Sequence, residues 1–147
     1  MFINKNETHI PKINNNINWY IIDAKDKTLG RLSSKIASIL KGKNNISYTS
    51  YQENNIKIIV INSAQIKVTG NKNKFKTYKK HSGKPGGLKI KTFNELQQKM
   101  PNKIIEHSIK GMLPKNSLGR KLFKKLKVYS NTNHPHDGQQ PIYLEIN

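Results

Sequence analysis

The sequence contains no cysteine, so disulfides, thiolate nucleophiles and cysteine-ligated zinc are excluded. No apolar run approaches the roughly 18 residues a membrane helix needs. Acidic side chains are scarce: 8 Asp+Glu stand against 27 Lys+Arg, for a formal net charge of +19 and a pI near 10.1. Arginine is nearly missing, with Arg31 and Arg120 set beside 25 lysines. The chain also holds 19 Asn and 20 Ile, which together with lysine use AT-rich codons. Drift in an AT-rich genome explains Lys in place of Arg and Asn in place of other polar residues, but it does not remove acids. The shortage of Asp and Glu therefore points to a polyanionic partner. With 147 residues, 34% of them hydrophobic, the chain can build one small core and one domain. The composition describes a soluble, intracellular, strongly cationic protein.

The charge is concentrated. Residues 65–130 carry 18 Lys+Arg against Glu95 and Glu106, which is the footprint of a nucleic-acid binder. The basic stretch lacks the long Lys-plus-Trp/Leu amphipathic helix that would settle on a lipid surface. Residues 1–18 are Asn-rich with scattered Ile and read as an extended N-terminal arm. They lack arginine and an apolar stretch, so no cleavable targeting peptide is expected.

From Trp19 to Asp23 the run WYIID suits a buried strand. Leu29, Leu32, Ile36, Ile39 and Leu40 follow a helical period, with Thr28 placed to cap and Gly42 to terminate. Ile56–Ile61 is nearly all apolar, as expected of a central strand, and the order predicts a βαβ unit. Residues 71–91 interleave Lys with Phe75, Tyr78 and His81 before a Gly-Lys-Pro-Gly-Gly loop, which predicts an exposed strand or ribbon with a flexible loop. Three helices follow: Phe93–Met100 with a Thr92/Glu95 capping box, one opened by Pro101, and Leu118–Lys127 capped by Ser117. A polar loop, HPHDGQQP, and an extended IYLEI close the chain.

Catalytic signatures are absent: there is no phosphate loop of the GxxxxGK[ST] type, no GxSxG and no HExxH. Asp23 and Asp26 form either an acid/base pair or, more simply, a helix-capping turn. His134, His136 and Asp137 form either a metal or nuclease site or, more simply, a rigid surface turn or an RNA contact. An RNA-processing enzyme would have to use these with His81, and a free nucleic-acid-binding regulator is the other rival. Gly83–Gly87 is either a phosphate- or RNA-contacting loop, in which the glycines permit close approach of backbone N–H groups and Lys84 adds charge, or an ordinary flexible turn. Phe75, Tyr78 and His81 either stack on unpaired bases or, for the first two, pack on the core. KGMLPKNSLGR at 110–120 joins a helix end, a proline turn and a new helix start, with Lys110, Lys115 and Arg120 alongside, and forms either a phosphate site or a solvated helix–turn–helix joint. Arginine's planar fork binds phosphate or guanine bidentately, as lysine cannot.

WYIIDAKDKTLGRLSSKIASILKGK at 19–43, IIVINSAQIKVTGNK at 58–72, HSGKPGGLK at 81–89, KGMLPKNSLGRKLFKKLKVY at 110–129 and NHPHDGQQP at 133–141 resemble, in order, the L-thirteen family of large-subunit ribosomal proteins in its bacterial and organellar form. The resemblance implies a single three-layer α/β/α domain over 19–147 with a small, mostly parallel sheet. It implies a structural constituent of the large ribosomal subunit that binds large-subunit rRNA early in assembly, with neighbouring ribosomal proteins as partners. It implies no enzyme activity, cofactor, metal, membrane or small-molecule substrate. On matching positions, the implied rRNA contacts are Lys27, Arg31, Lys43, Lys72, His81, Gly86, Gly87, Lys110, Lys115, Arg120, Lys124, Lys125 and His134. The ribosome would be that of an organelle, a plastid before a mitochondrion, or of an AT-rich bacterium. One block departs: where members read close to YTPHxDTGDYVIV, residues 48–60 read YTSYQENNIKIIV, with Ser50-Tyr51 and Asn55-Ile56 replacing the Pro-His and Gly-Asp pairs.

Overall fold

A computed structural model describes residues 16–146. Most of the expected N-terminal arm, residues 1–15, lies outside the described residues, and Asn18 already belongs to the first strand. Strand β1 (Asn18–Asp23), helix α1 (Leu29–Lys41) and strand β2 (Ile56–Ile61) form the βαβ unit that the apolar pattern predicts. The two strands pair in parallel, with Tyr20 opposite Ile58 and Ile22 opposite Val60. Helix α1 buries Leu29, Leu32, Ile36, Ile39 and Leu40, the residues of its 3.6-residue stripe. Its C-cap, Gly42, has φ 78°, and a Cβ there would come within 2.6 Å of the Asn54 side-chain amide. Both the left-handed backbone and the close approach require glycine.

Thr28 sits before α1 in extended conformation, but its side chain makes no capping bond. Its segment is held instead by backbone: Leu29 N–H donates to Lys67 O at 2.9 Å and Lys67 N–H to Lys27 O at 3.0 Å. The short helix α2 (Lys72–Phe75) leads into an antiparallel ribbon of β3 (Thr77–His81) and β4 (Leu88–Thr92). Helix α3 (Phe93–Lys99) starts with the expected capping box between Thr92 and Glu95. Helix α4 (Pro101–Met112) begins at its proline and buries Ile104, Ile105 and Ile109.

The next segment corrects two expectations. Helix α5 spans Ser117–Lys124, and its cap is Asn116, whose side chain accepts from Gly119 N–H at 2.8 Å. Asn116 holds the extended backbone that a cap needs, whereas Ser117 is already helical. The helix also stops short of Lys127, because Leu126–Val128 is strand β5, parallel to β2 with Leu126 opposite Ile58 and Val128 opposite Val60. Leu122 and Leu126 fit a helical stripe, but Leu126 and Val128 equally fit an alternating strand, and the open edge of β2 supplies its ladder. Strand β6 (Ile142–Tyr143) pairs in parallel with β1, giving the order β5-β2-β1-β6.

Strand alternation sorts the sheet into two faces. Ile22, Ile56, Ile58, Val60 and Leu126 face the helices and share one core with α1, α3, α4 and Leu122 of α5, with Phe93, Ile104, Ile105 and Ile109 fully buried. Trp19, Lys57, Ile59 and Lys127 lie on the opposite face. There the 129–141 segment packs, bringing the His136 ring to 5.1 Å from Trp19 and its Nε2 to 2.8 Å from the Tyr129 hydroxyl. The domain is thus α/β with a mostly parallel sheet, and its third layer is this segment with a 3-10 turn at Asp137–Gln139.

Candidate nucleic-acid interface

Helix α5 shows how the basic surface is made. Gly119 and Leu122 are buried, so Arg120, Lys121 and Lys124 are left on the solvent side, beside exposed Lys115 in the preceding turn. The turn is tight. A Cβ on Gly119 would drive into the Pro114 carbonyl, so the Pro-to-Gly spacing of the motif is a packing requirement. Lys110 Nζ lies 5.8 Å from the centre of the Phe123 ring, linking the end of α4 to α5. Helices α1, α4 and α5 all start without an acidic residue in the first turn. Acids there would complement the helix dipole, and these three first turns hold none.

Glu53 is the anion beside α5. Its carboxylate is 3.0 Å from Lys125 Nζ and 3.8 Å from Lys121 Nζ, and its bond to Lys125 holds its pKa below the ordinary carboxylate value. Lys125 also donates to the Asn54 carbonyl, and its side chain is 13% exposed. Of the expected contacts, Lys125 is therefore the cation most engaged within the protein. Lys124 and Arg120 remain exposed.

The ribbon carries the second concentration of charge. Its register places Tyr78, Lys80, Lys89 and Lys91 on one face and Lys79, His81, Leu88 and Ile90 on the other. Its tip is a built turn: Gly83 N–H donates to His81 Nδ1 at 2.9 Å, Gly87 N–H donates to Lys84 O at 3.0 Å, and a Cβ on Gly87 would strike the Ser82 hydroxyl. Gly86 adopts φ 72° in the same turn. Phe75 and Tyr78 part company. Phe75 is 76% exposed, while Tyr78 is half-buried with its ring edge on His107 at 5.4 Å. Burial raises the Tyr78 pKa, and burial together with Lys72 lowers that of Lys76.

The remaining expected contacts are scattered. Lys27 and Arg31 stand at the start of α1 and Lys43 just past its end, about 20 Å apart along a 13-residue helix. Lys72 opens α2. His134 is nearly buried, with Nδ1 3.3 Å from Asp137 Oδ1. Asp23 and Asp26 resolve as turn residues with separate partners. Asp23 Oδ1 accepts from Lys25 N–H and the Asn62 amide, and Asp26 pairs with Lys67 at 2.7 Å. Lys79, Lys80, Lys89 and Lys91, all exposed, are not singled out by the sequence. The alternating LKIKT run was the signal that would have found the ribbon pair Lys89 and Lys91. No group of three or more His, Cys, Asp or Glu among the described residues could hold a metal ion, and no helix among them is long and apolar enough to cross a membrane.

A parallel sheet filled on both faces, with lysines displayed on a ribbon and a helix row, defines a basic α/β scaffold protein. A model of the ribosomal protein L13 family matches residues 17–135, and the chain belongs to that family. It is 58% identical over 136 residues to large ribosomal subunit protein uL13c of Pyropia yezoensis, covering 92% of this chain and 96% of that one. It is 60% identical over 136 residues to uL13c of Gracilaria tenuistipitata var. liui, covering 92% and 95%. It is 55% identical over 129 residues to uL13 of Trichormus variabilis, covering 88% and 85%. The chain is a structural, non-enzymatic constituent of the large ribosomal subunit.

Proposed function

We propose that residues 19–147 act as one rRNA-binding domain that clamps segments of large-subunit rRNA. The exposed row at the α4–α5 joint supports this most directly: Lys115, Arg120, Lys121 and Lys124 point to solvent, with Glu53 the nearby acid. Lys27, Arg31, Lys43, Lys72, His81, Gly86, Gly87, Lys110, Lys125 and His134 are the further proposed contacts. Neighbouring large-subunit proteins complete the set of partners. Relatives that carry the chloroplast-type name uL13c support a plastid ribosome as the site of action.

Roughly six to ten phosphate contacts would weaken isolated binding about 10³–10⁵-fold between 50 and 200 mM salt. Lys115→Ala with Arg120→Ala lowers affinity and flattens the salt slope by about two while the fold is kept. A filter-binding titration against large-subunit rRNA, with circular dichroism as the folding control, checks this; unchanged affinity would refute the assignment. A high-salt sucrose gradient of source lysate checks the compartment, because the rRNA that co-sediments with the protein identifies it.

A further inference from the structure

Between α1 and β2 the chain walls an open cleft of about 530 Å³, at the end of the sheet where β1 and β2 begin. That volume is within the range of small-ligand sites. On a chain of net charge +19, the lining has just two charged side chains, Lys41 and Glu53. Glu53 is already met by Lys125 and Lys121. Six of the sixteen lining residues are asparagine, and Tyr20 and Tyr48 add two aromatic rings. Codon drift explains the supply of asparagine, but not its gathering around one cleft.

A phosphate site would need cations, and a lipid or apolar ligand would need an apolar wall. Here the exposed lining asparagines, Asn16, Asn18, Asn44 and Asn45, offer amides, each with a donor and an acceptor side by side, which is the pattern shown by the edge of a nucleobase. Tyrosine faces supply the stacking by which unpaired bases are held. Tyr20 is half-buried against the core, whereas Tyr48, also in the lining, is 41% exposed. The cleft adjoins the α5 lysines through the Glu53 ion pairs. We propose that this cleft captures one unpaired RNA nucleobase. Tyr48 stacks on its face, the Asn18, Asn44 and Asn45 amides read its edge, and Lys41 takes the adjoining phosphate. The identity of the RNA rests on the rRNA reading above; base capture itself does not.

The test is an NMR titration of the full chain with millimolar AMP, GMP, CMP and UMP, with inorganic phosphate in parallel. At least one nucleotide should shift the backbone and side-chain amides of 44–49 where phosphate does not. Tyr48→Ala should abolish those shifts and Tyr48→Phe should retain them. Identical shifts from phosphate, shifts confined to the α5 and ribbon lysines, or no shifts at all would overturn the proposal. In rRNA filter binding, Tyr48→Ala should cost roughly 5- to 150-fold in affinity with an unchanged salt slope. A flattened slope would instead make the loop a phosphate contact and overturn base capture. If the unaltered chain shows no salt-dependent rRNA binding, the rRNA reading fails, while the mononucleotide titration still decides the cleft.

Discussion

Residues 18–61 and residues 71–91 solve opposite problems with the same amino-acid supply. The first stretch places all its isoleucines except Ile46 in α1 and the central strands, where Ile22, Ile36, Ile58 and Ile59, with Val60, are 0–1% exposed. The second spends lysine, and its two strands bury no residue fully. A two-stranded ribbon is marginal by itself in water. This one is anchored at its base, where Phe93 N–H donates to Lys76 O at 2.9 Å and Tyr78 packs on His107. The sheet is stable because it excludes water; the ribbon keeps its charge available because it does not.

Phe93→Ala strikes the junction and should break both regions together. The ring is 0% exposed, and its removal costs about 3–5 kcal/mol, read as a lower urea midpoint. Loss of amide protection in the ribbon alone would mean that the two regions are not coupled there. Gly119→Ala comes next, at about 1–3 kcal/mol, because the added methyl group meets the Pro114 carbonyl. A melt unchanged from the parent would show that the joint yields.

Acidification should loosen the second face of the sheet. Burial, His134, Lys127 and Lys57 hold the His136 pKa below the ordinary 6.5, against the opposing pull of Asp137. The unfolded chain then takes up a proton that the folded chain resists, so stability is full above pH 6.5 and declines as pH falls through that value. His136→Gln should flatten the decline in urea midpoints measured between pH 8 and 5. The smallest effect on stability belongs to the ribbon. Lys80→Gln with Lys89→Gln should leave stability within about 0.5 kcal/mol and reduce the rRNA salt slope by one to two. A large loss of stability would mean that these lysines are structural.

The two regions were unequally legible in the sequence. Strand β2 and the stripe of α1 were readable because burial on a regular period leaves a repeat in the residue pattern. Strand β5 was not, since Leu126 serves a helical and an alternating pattern equally and only the neighbouring edge of β2 decides. Within the candidate site, the charge of 65–130 was plain, but its pairing was not. That Lys125 is tied to Glu53, 72 positions away, is settled by tertiary packing. Likewise, the cleft beside Tyr48 joins residues from both sides of α1, a closeness that no local pattern records.

The pairing of β6 with β1 sets a clock. Tyr20 waits for Ile142 and Ile21 for Tyr143 before the outer edge of β1 is satisfied. At about 5–20 residues per second, synthesis from Asp23 to Ile142 takes roughly 6–24 s. Through that interval the outer edge of β1 stays bare, open to pairing with any other unfinished chain. The last strand therefore ends the period in which the growing chain is most prone to misassociate.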